Sequence, residues 1–224
     1  MGSNLSILDV FLKNYPLFFQ GLMGTLQLAL ITVFFGTVFG SLLAMARLSK
    51  YKVINFVVGA YVEVIRGTPI LVQLYIFYLF LPMAISALST LNEYWFVVGA
   101  LIMNSSAYVS EIIRGGIQAV DKGQIEAAKS LGMSDRHTMI KIVLPQAIKT
   151  ILPALGNEFI MMIKETSLAS VFFINELMCT QKILQSSQFL VWQPLFIVAI
   201  IYFVVTFGLS KLVNLLEKRL AVSD

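Results

Sequence analysis

Among the residues carrying a charge or an amide that interrupt otherwise apolar stretches of this chain are Glu63, Arg66, Asn104, Glu158, Lys164 and Glu165. A charge at the centre of a membrane helix costs about 2.5–3.5 kcal/mol on the insertion scale, so each ionisable one needs a partner or a wet cavity. Glu63 and Arg66 are three apart and share a helical face. At the helical rise, Glu63 falls roughly 12 Å and Glu165 roughly 20 Å from the cytoplasmic ends of their apolar stretches, and Asn104 about 15 Å from the external end of its own, so all three reach the middle region of a bilayer. Acidic groups, an arginine fork and an amide could satisfy a small solute that carries one ammonium and one carboxylate. Other readings of the same residues stay open. Glu63 and Arg66 could form an intrahelical salt bridge that serves packing alone. Lys164 and Glu165 point in different directions, so each could pair with another helix. Asn104, Ser105 and Ser106 could be small-residue helix packing. Glu158, with Asn157, reads as a structural or gating contact rather than a ligand to a solute.

Two further features bear on motion. Gly67-Thr68-Pro69 follows Arg66 directly, and proline removes a backbone hydrogen bond and clashes with the preceding turn, so a kink or break is expected there. Inside a membrane such a break is tolerated where the freed groups face protein or a water-lined cavity. The second feature is the run Glu126-Ala127-Ala128-Lys129-Ser130-Leu131-Gly132. Two short helices are expected to meet at Gly132, whose missing side chain permits a turn, and the adjacent alanines give a slim face that another protein can approach closely.

The elements that position these residues follow from composition. The chain has 224 residues, 58% of them hydrophobic and only 12% charged, with a mean hydropathy of +0.85. That excludes an ordinary soluble domain and gives an all-α polytopic membrane protein. A hydrocarbon core of about 30 Å needs roughly 20 apolar helical residues. Five segments qualify, near 18–46, 55–82, 94–113, 151–174 and 193–216. Gly36 and Gly40 in the first have the spacing that lets two helices pack closely. Basic residues follow the first span (Arg47, Lys50, Lys52), the third (Arg114 to Lys149) and the fifth (Lys211, Lys218, Arg219), so these regions are expected in the cytoplasm. The amino terminus is then outside and the carboxyl terminus inside. Trp95 and Trp192 fall at the expected external interfaces.

No cleaved signal peptide is evident, and the first span would serve as its own insertion signal. Met1-Gly2-Ser3-Asn4-Leu5-Ser6 fits a loose myristoylation pattern that nothing else in the chain supports. The single cysteine, Cys179, excludes an internal disulfide and offers no metal cluster. His137 lies in the polar loop and reads as a solvated or interface histidine. No linker divides the chain, so residues 1–224 read as one membrane domain with a sizeable cytoplasmic loop near 115–150.

The sequence from Glu126 to Pro145 resembles the coupling loop of ABC-importer permease subunits: E-A-A, three residues, Gly, nine residues, Ile, any residue, Leu-Pro. Glu126, Ala127, Ala128, Gly132, Ile142, Leu144 and Pro145 fall on that pattern. Glu63-Val64-Ile65-Arg66-Gly67-Thr68-Pro69, the stretch from Asn104 to Gly115, Lys164-Glu165-Thr166-Ser167-Leu168 and Leu144-Pro145-Gln146-Ala147 are similar to the polar-amino-acid branch, the histidine, glutamine and arginine type. The similarity covers nearly the whole chain in order.

The resemblance implies a bacterial plasma-membrane permease for amino acids, not itself an enzyme. It also implies a second permease subunit, identical or homologous, two copies of a cytoplasmic ATP-binding subunit, and an extracytoplasmic substrate-binding protein. It raises Glu63, Arg66, Asn104 and Glu165 as substrate-pathway residues, Glu126, Ala127, Ala128 and Gly132 as ATPase-coupling residues, and Gly67, Thr68 and Pro69 as a gate or kink. No G-x-x-x-x-G-K-[ST] phosphate loop occurs, so ATP and its magnesium are expected on the partner ATPase. Nucleic acid is not an expected partner; membrane lipid is. A self-sufficient secondary transporter or channel is the alternative, for which five spans is few and the loop at 115–150 has no evident use.

Overall fold

The computed structural model describes residues 5–221, so most of the myristoylation-like pattern lies outside the described residues. Every regular element among the described residues is helical. Helix α1 spans Ile7–Arg47 and α2 spans Lys52–Gly67. Helix α3, Ile70–Tyr75, runs on through a π-helical segment, Ile76–Phe80, and a last turn, Leu81–Ala84. Helix α4 is Glu93–Gln118, followed by the short α5 (Lys122–Ser130) and α6 (Asp135–Thr138). A π-helical segment, Met139–Val143, leads into α7, Leu144–Glu165, which tightens into a 3₁₀ stretch, Thr166–Phe172. Helices α8 (Leu177–Gln188) and α9 (Trp192–Ala221) complete the chain.

Four stretches are long and apolar enough to cross a membrane: Ile7–Arg47, Glu93–Gln118, Asp135–Gln188 and Trp192–Leu220. The interrupted pair Lys52–Gly67 and Ile70–Ala84, bent by 105° at the break, makes a fifth when counted as one span. The all-α, roughly five-span expectation therefore holds, with three shifts of boundary. Helix α1 starts at Ile7 rather than near residue 18. Ser6 caps it by a reciprocal box, in which the Asp9 amide donates to Ser6 Oγ at 3.1 Å and the Ser6 amide to the Asp9 carboxylate at 3.1 Å. The fourth helix starts earlier than 151 and leaves α-helical geometry at Glu165. There the Thr166 hydroxyl donates back to the Ile163 carbonyl at 2.8 Å, and such local bonds compete with the regular ladder. Finally, the stretch of 175–192, between the fourth and fifth expected spans, contains α8.

The chain divides into two compact units, one comprising residues up to Phe34, Thr68–Ile102 and Phe159–Leu209, the other Phe35–Gly67, Met103–Glu158 and residues from Ser210 on. In the first unit, Leu28, Leu74, Val97, Leu101 and Phe172 form one core. Tyr75 and Tyr78 lie on the Phe172 ring, with centroids 5.0 and 4.5 Å away. Val10 and Phe18 of α1 meet Leu177 and Leu184 of α8 and Val198 of α9, which is why the helix extends below residue 18. In the second unit, Val62 and Ile65 of α2 bury against Ala107 of α4, and Val120, Val143, Ala147 and Ile151 form a separate core beneath the polar loop.

Gly36 and Gly40 do pack a helix face. A Cβ on Gly36 would lie 2.7 Å from Ser105 Oγ, and one on Gly40 would lie 2.7 Å from Val109 Cβ and 2.8 Å from the Ser106 carbonyl. Large side chains such as Phe34, Phe56 and Phe203 remain exposed, which in a chain of this composition is the face a bilayer covers.

Candidate functional site

In the second unit the centre of charge is Glu111 of α4, which the sequence reading did not single out. Its Oε1 accepts from Arg47 Nη1 at 2.9 Å and from Arg114 Nε at 3.0 Å, and its Oε2 accepts from Arg114 Nη2 at 2.6 Å. Arg66 Nη1 stands 3.6 Å from the same Oε2, close enough for an ion pair but outside hydrogen-bond range. The Arg66 guanidinium also lies over the Tyr108 ring, 5.4 Å from its centroid. Arg66 therefore pairs with Glu111 rather than with Glu63. Glu63 is exposed and forms no salt bridge among the described residues. A signal for Glu111 was present: it lies three residues before Arg114, on one face of the same helix.

Asn104 is buried, as are its neighbours Ser105 and Ser106. Ser105 Oγ donates to Glu158 Oε1 at 3.0 Å, and Glu158 is only 7% exposed. The carboxylate brought beside the Asn104 stretch within this unit is thus Glu158. The Tyr61 hydroxyl completes the group, donating to the Met103 carbonyl at 3.2 Å and lying 3.3 Å from Ser106 Oγ. Amide, hydroxyls and carboxylate together form a buried polar surface in an apolar setting, an arrangement that holds only if its members are hydrogen-bonded or meet a polar ligand.

Glu165 belongs to the first unit, half-buried at the point where α7 gives way to the 3₁₀ stretch. Neither it nor Lys164 forms a salt bridge among the described residues. The break after Arg66 lies where expected: α2 ends at Gly67, and Pro69 begins α3 in extended geometry. Gln73 Nε2 donates to the Thr68 carbonyl at 3.1 Å and to Thr68 Oγ1 at 2.9 Å, so a side chain takes up a backbone group that the break releases.

The first unit also holds a carboxylate that sequence reading passed over. Glu176 is fully buried and caps α8, accepting from the Met178 amide at 2.7 Å and from the Cys179 amide. The Tyr202 hydroxyl donates to it at 3.0 Å. Lys182, the one basic residue of this segment, turns its ammonium onto the Ser170 carbonyl at 3.0 Å.

The polar loop of the second unit has the geometry expected at Gly132. Helix α5 starts at Asp121, whose carboxylate accepts from the Gln124 amide at 3.2 Å, and α6 starts at Ser134, whose hydroxyl lies 2.9 Å from His137 Nδ1. Between them Gly132 adopts φ 82°, the left-handed region. The Gly132 amide donates to the Lys129 carbonyl at 2.9 Å and the Met133 amide to the Ala128 carbonyl at 3.1 Å, the paired bonds of a Schellman turn. Lys129 and Asp135 bridge the turn at 3.0 Å. Ala128 is buried, while Glu126 and Ala127 are exposed and Leu131 is 84% exposed. The result is a rigid turn that presents an apolar tip and a slim helix face.

Residues 36–222 match the family described as binding-protein-dependent transport system inner membrane component. A protein named as a glutamine transport system permease from Rickettsia bellii (strain RML369-C) is 39% identical over 206 residues, spanning 91% of this chain and 93% of its own. The arginine transport system permease ArtQ of Bacillus subtilis (strain 168) is 35% identical over 213 residues, 95% of this chain and 96% of its own. A chain from the crystal structure of an amino acid ABC transporter with histidines superposes with a TM-score of 0.91 at 45% identity, covering 96% of this chain and 99% of that one.

Proposed function

The chain belongs to the family of binding-protein-dependent transport system inner membrane components, and from that membership we propose that it is the permease subunit of an ATP-driven amino-acid importer. The observation that carries this reading is the near-complete match, at 45% identity, to a chain of an amino acid ABC transporter. The relatives named for glutamine and for arginine transport support the same substrate class.

The parts take the following roles. An extracytoplasmic binding protein delivers the amino acid to a pair of permease subunits in the bacterial plasma membrane. Two cytoplasmic ATPase subunits bind ATP and magnesium and drive the change of access. The turn at Gly132, with Glu126, Ala127 and Ala128 beside it, docks on the ATPase and moves as a rigid lever, because its bonds are already made before the partner arrives. The amino acid passes a polar route to which Glu63, Arg66, Asn104 and Glu165 contribute. Glu158 joins them, since Ser105 aims its hydroxyl at that carboxylate beside Asn104. The break at Gly67, Thr68 and Pro69 lets the segment after Arg66 shift without unravelling a continuous helix. Orientation follows the basic residues, with the amino terminus outside and the carboxyl terminus inside.

The test is reconstitution of the chain with its ATPase and binding protein in sealed vesicles, using glutamine, arginine and histidine in turn. ATP-dependent accumulation of at least one of them, absent without the ATPase, is the expected result. No ATP-dependent accumulation of any amino acid by an assembled complex would sink this reading.

A further inference from the structure

The Glu111 cluster has more positive charge than it can neutralise. Arg47, Arg66 and Arg114 surround the one carboxylate of Glu111. Three guanidiniums on one carboxylate leave positive charge in excess. The hydrogen bonds are shared unequally. Arg114 holds Glu111 through two nitrogens and Arg47 through one, at 2.6–3.0 Å, so the carboxylate has little acceptor capacity left. Arg66 is the member that makes no hydrogen bond to Glu111, standing 3.6 Å away, with its side chain 38% exposed against 17% for Arg47 and 28% for Arg114. In addition, Arg47 Nε is buried without a hydrogen-bond partner. The cluster as it stands is short of anionic acceptors.

We infer that Glu111 is the resting counter-ion of Arg66, and that the carboxylate of the transported amino acid takes its place on Arg66 during passage. This rests on the importer reading above. A guanidinium with unused planar donors binds a carboxylate through two parallel bonds, which is stronger and more specific than the single long contact it gives up. Tyr108 keeps the guanidinium plane in place while the counter-ions exchange. Glu111 is therefore a positioning residue. It fixes Arg47 and Arg114 firmly and holds Arg66 loosely enough to release it, which sets the preference for a substrate with a free carboxylate. A lipid phosphate has the same anionic chemistry. The carboxylate is favoured because Tyr108, on which Arg66 lies, is one helical turn from the buried Asn104, and Ser105 beside it bonds the Glu158 carboxylate, which suits the polar groups of an amino acid.

The test measures equilibrium binding to the complete permease–ATPase complex without its binding protein, in neutral-lipid nanodiscs. The probes are the amino acid that the wild type accumulates and the carboxamide of that amino acid. The wild type is expected to bind the free acid at least tenfold more tightly than the carboxamide, and Arg66→Gln to lose that ratio. Glu111→Gln is expected to tighten acid binding severalfold and leave carboxamide binding unchanged. Should Glu111→Gln fail to assemble, Glu111→Asp decides: it keeps the charge for Arg114 while drawing the carboxylate back from Arg66, and should raise the same ratio. A wild-type ratio near one, a ratio unaffected by Arg66→Gln, or equal changes for both ligands in the Glu111 variants overturns the inference. So does an acid preference that disappears when anionic lipid is added, because a headgroup then owns the site. Failure of the importer reading looks different, since no amino acid is then accumulated at all.

Discussion

The Met133 amide donates to the Ala128 carbonyl at 3.1 Å, across a turn in which Gly132 sits at φ 82°. A Cβ at Gly132 would meet nothing within 4 Å, so the demand for glycine is one of backbone conformation and not of space. Left-handed geometry costs an L-residue roughly 1–2 kcal/mol, more for a β-branched side chain and less for asparagine. Gly132→Val should therefore loosen the turn while the membrane-embedded cores stay intact. We expect ATP hydrolysis to continue and uptake to fall several-fold, with Gly132→Asn close to the wild type. Normal uptake by a well-assembled Gly132→Val complex would remove the coupling role.

Gly40 is constrained in the opposite way, by space. Its missing side chain brings α1 against α4, with Val109 Cβ and the Ser106 carbonyl both under 3 Å from where a Cβ would lie. The nearer groups are backbone and a β-branched side chain, which cannot swing away. Gly40→Val should cost about 1–3 kcal/mol or more through overpacking, seen as lower thermal stability and lower yield of the purified complex. Gly40→Ala should do the same to a smaller degree.

The helical fold was legible because lipid forces long apolar runs, and the Gly36–Gly40 and Gly132 features were legible because glycine has few other uses at such spacings. Three things were not. Helix α8 and the lower part of α1 are held by each other, through Phe18, Leu177 and Leu184, and a window set to bilayer thickness does not detect mutual packing. The partner of Arg66 lies 45 residues away in Glu111, whereas spacing along one helix pointed to Glu63. Glu158 read as a structural or gating contact, but its partner Ser105 lies 53 positions earlier on another helix, which spacing along one helix cannot show.

Glu176 offers a stability test away from the proposed route. With the side chain fully buried, Glu176→Ala would leave the amides of Met178 and Cys179 and the Tyr202 hydroxyl without their acceptor. Each buried group left unsatisfied costs about 1–3 kcal/mol, so the complex should melt well below the wild type. Glu176→Gln keeps an acceptor oxygen and should recover much of the loss. Equal melting temperatures for the wild type and Glu176→Ala would mean that α8 is not held by its cap.

The hydrogen bond from Ser105 to Glu158 separates a helix tie from a transport role. Ser105→Ala removes a charge-assisted donor to a buried carboxylate and should lower stability by about 1.5–3 kcal/mol. Glu158→Gln keeps an acceptor for that hydroxyl and nearly the same shape, so its effect on stability should be small. If the carboxylate receives the ammonium of a passing amino acid, Glu158→Gln should nevertheless cut uptake tenfold or more, with delivery by the binding protein unchanged. The double variant should then be less unstable than the sum of the two single changes, because the charge-assisted part of the bond is already gone in Glu158→Gln. Uptake near the wild-type rate in Glu158→Gln, with Ser105→Ala destabilised as expected, would leave Glu158 as a tie between α4 and α7 and nothing more.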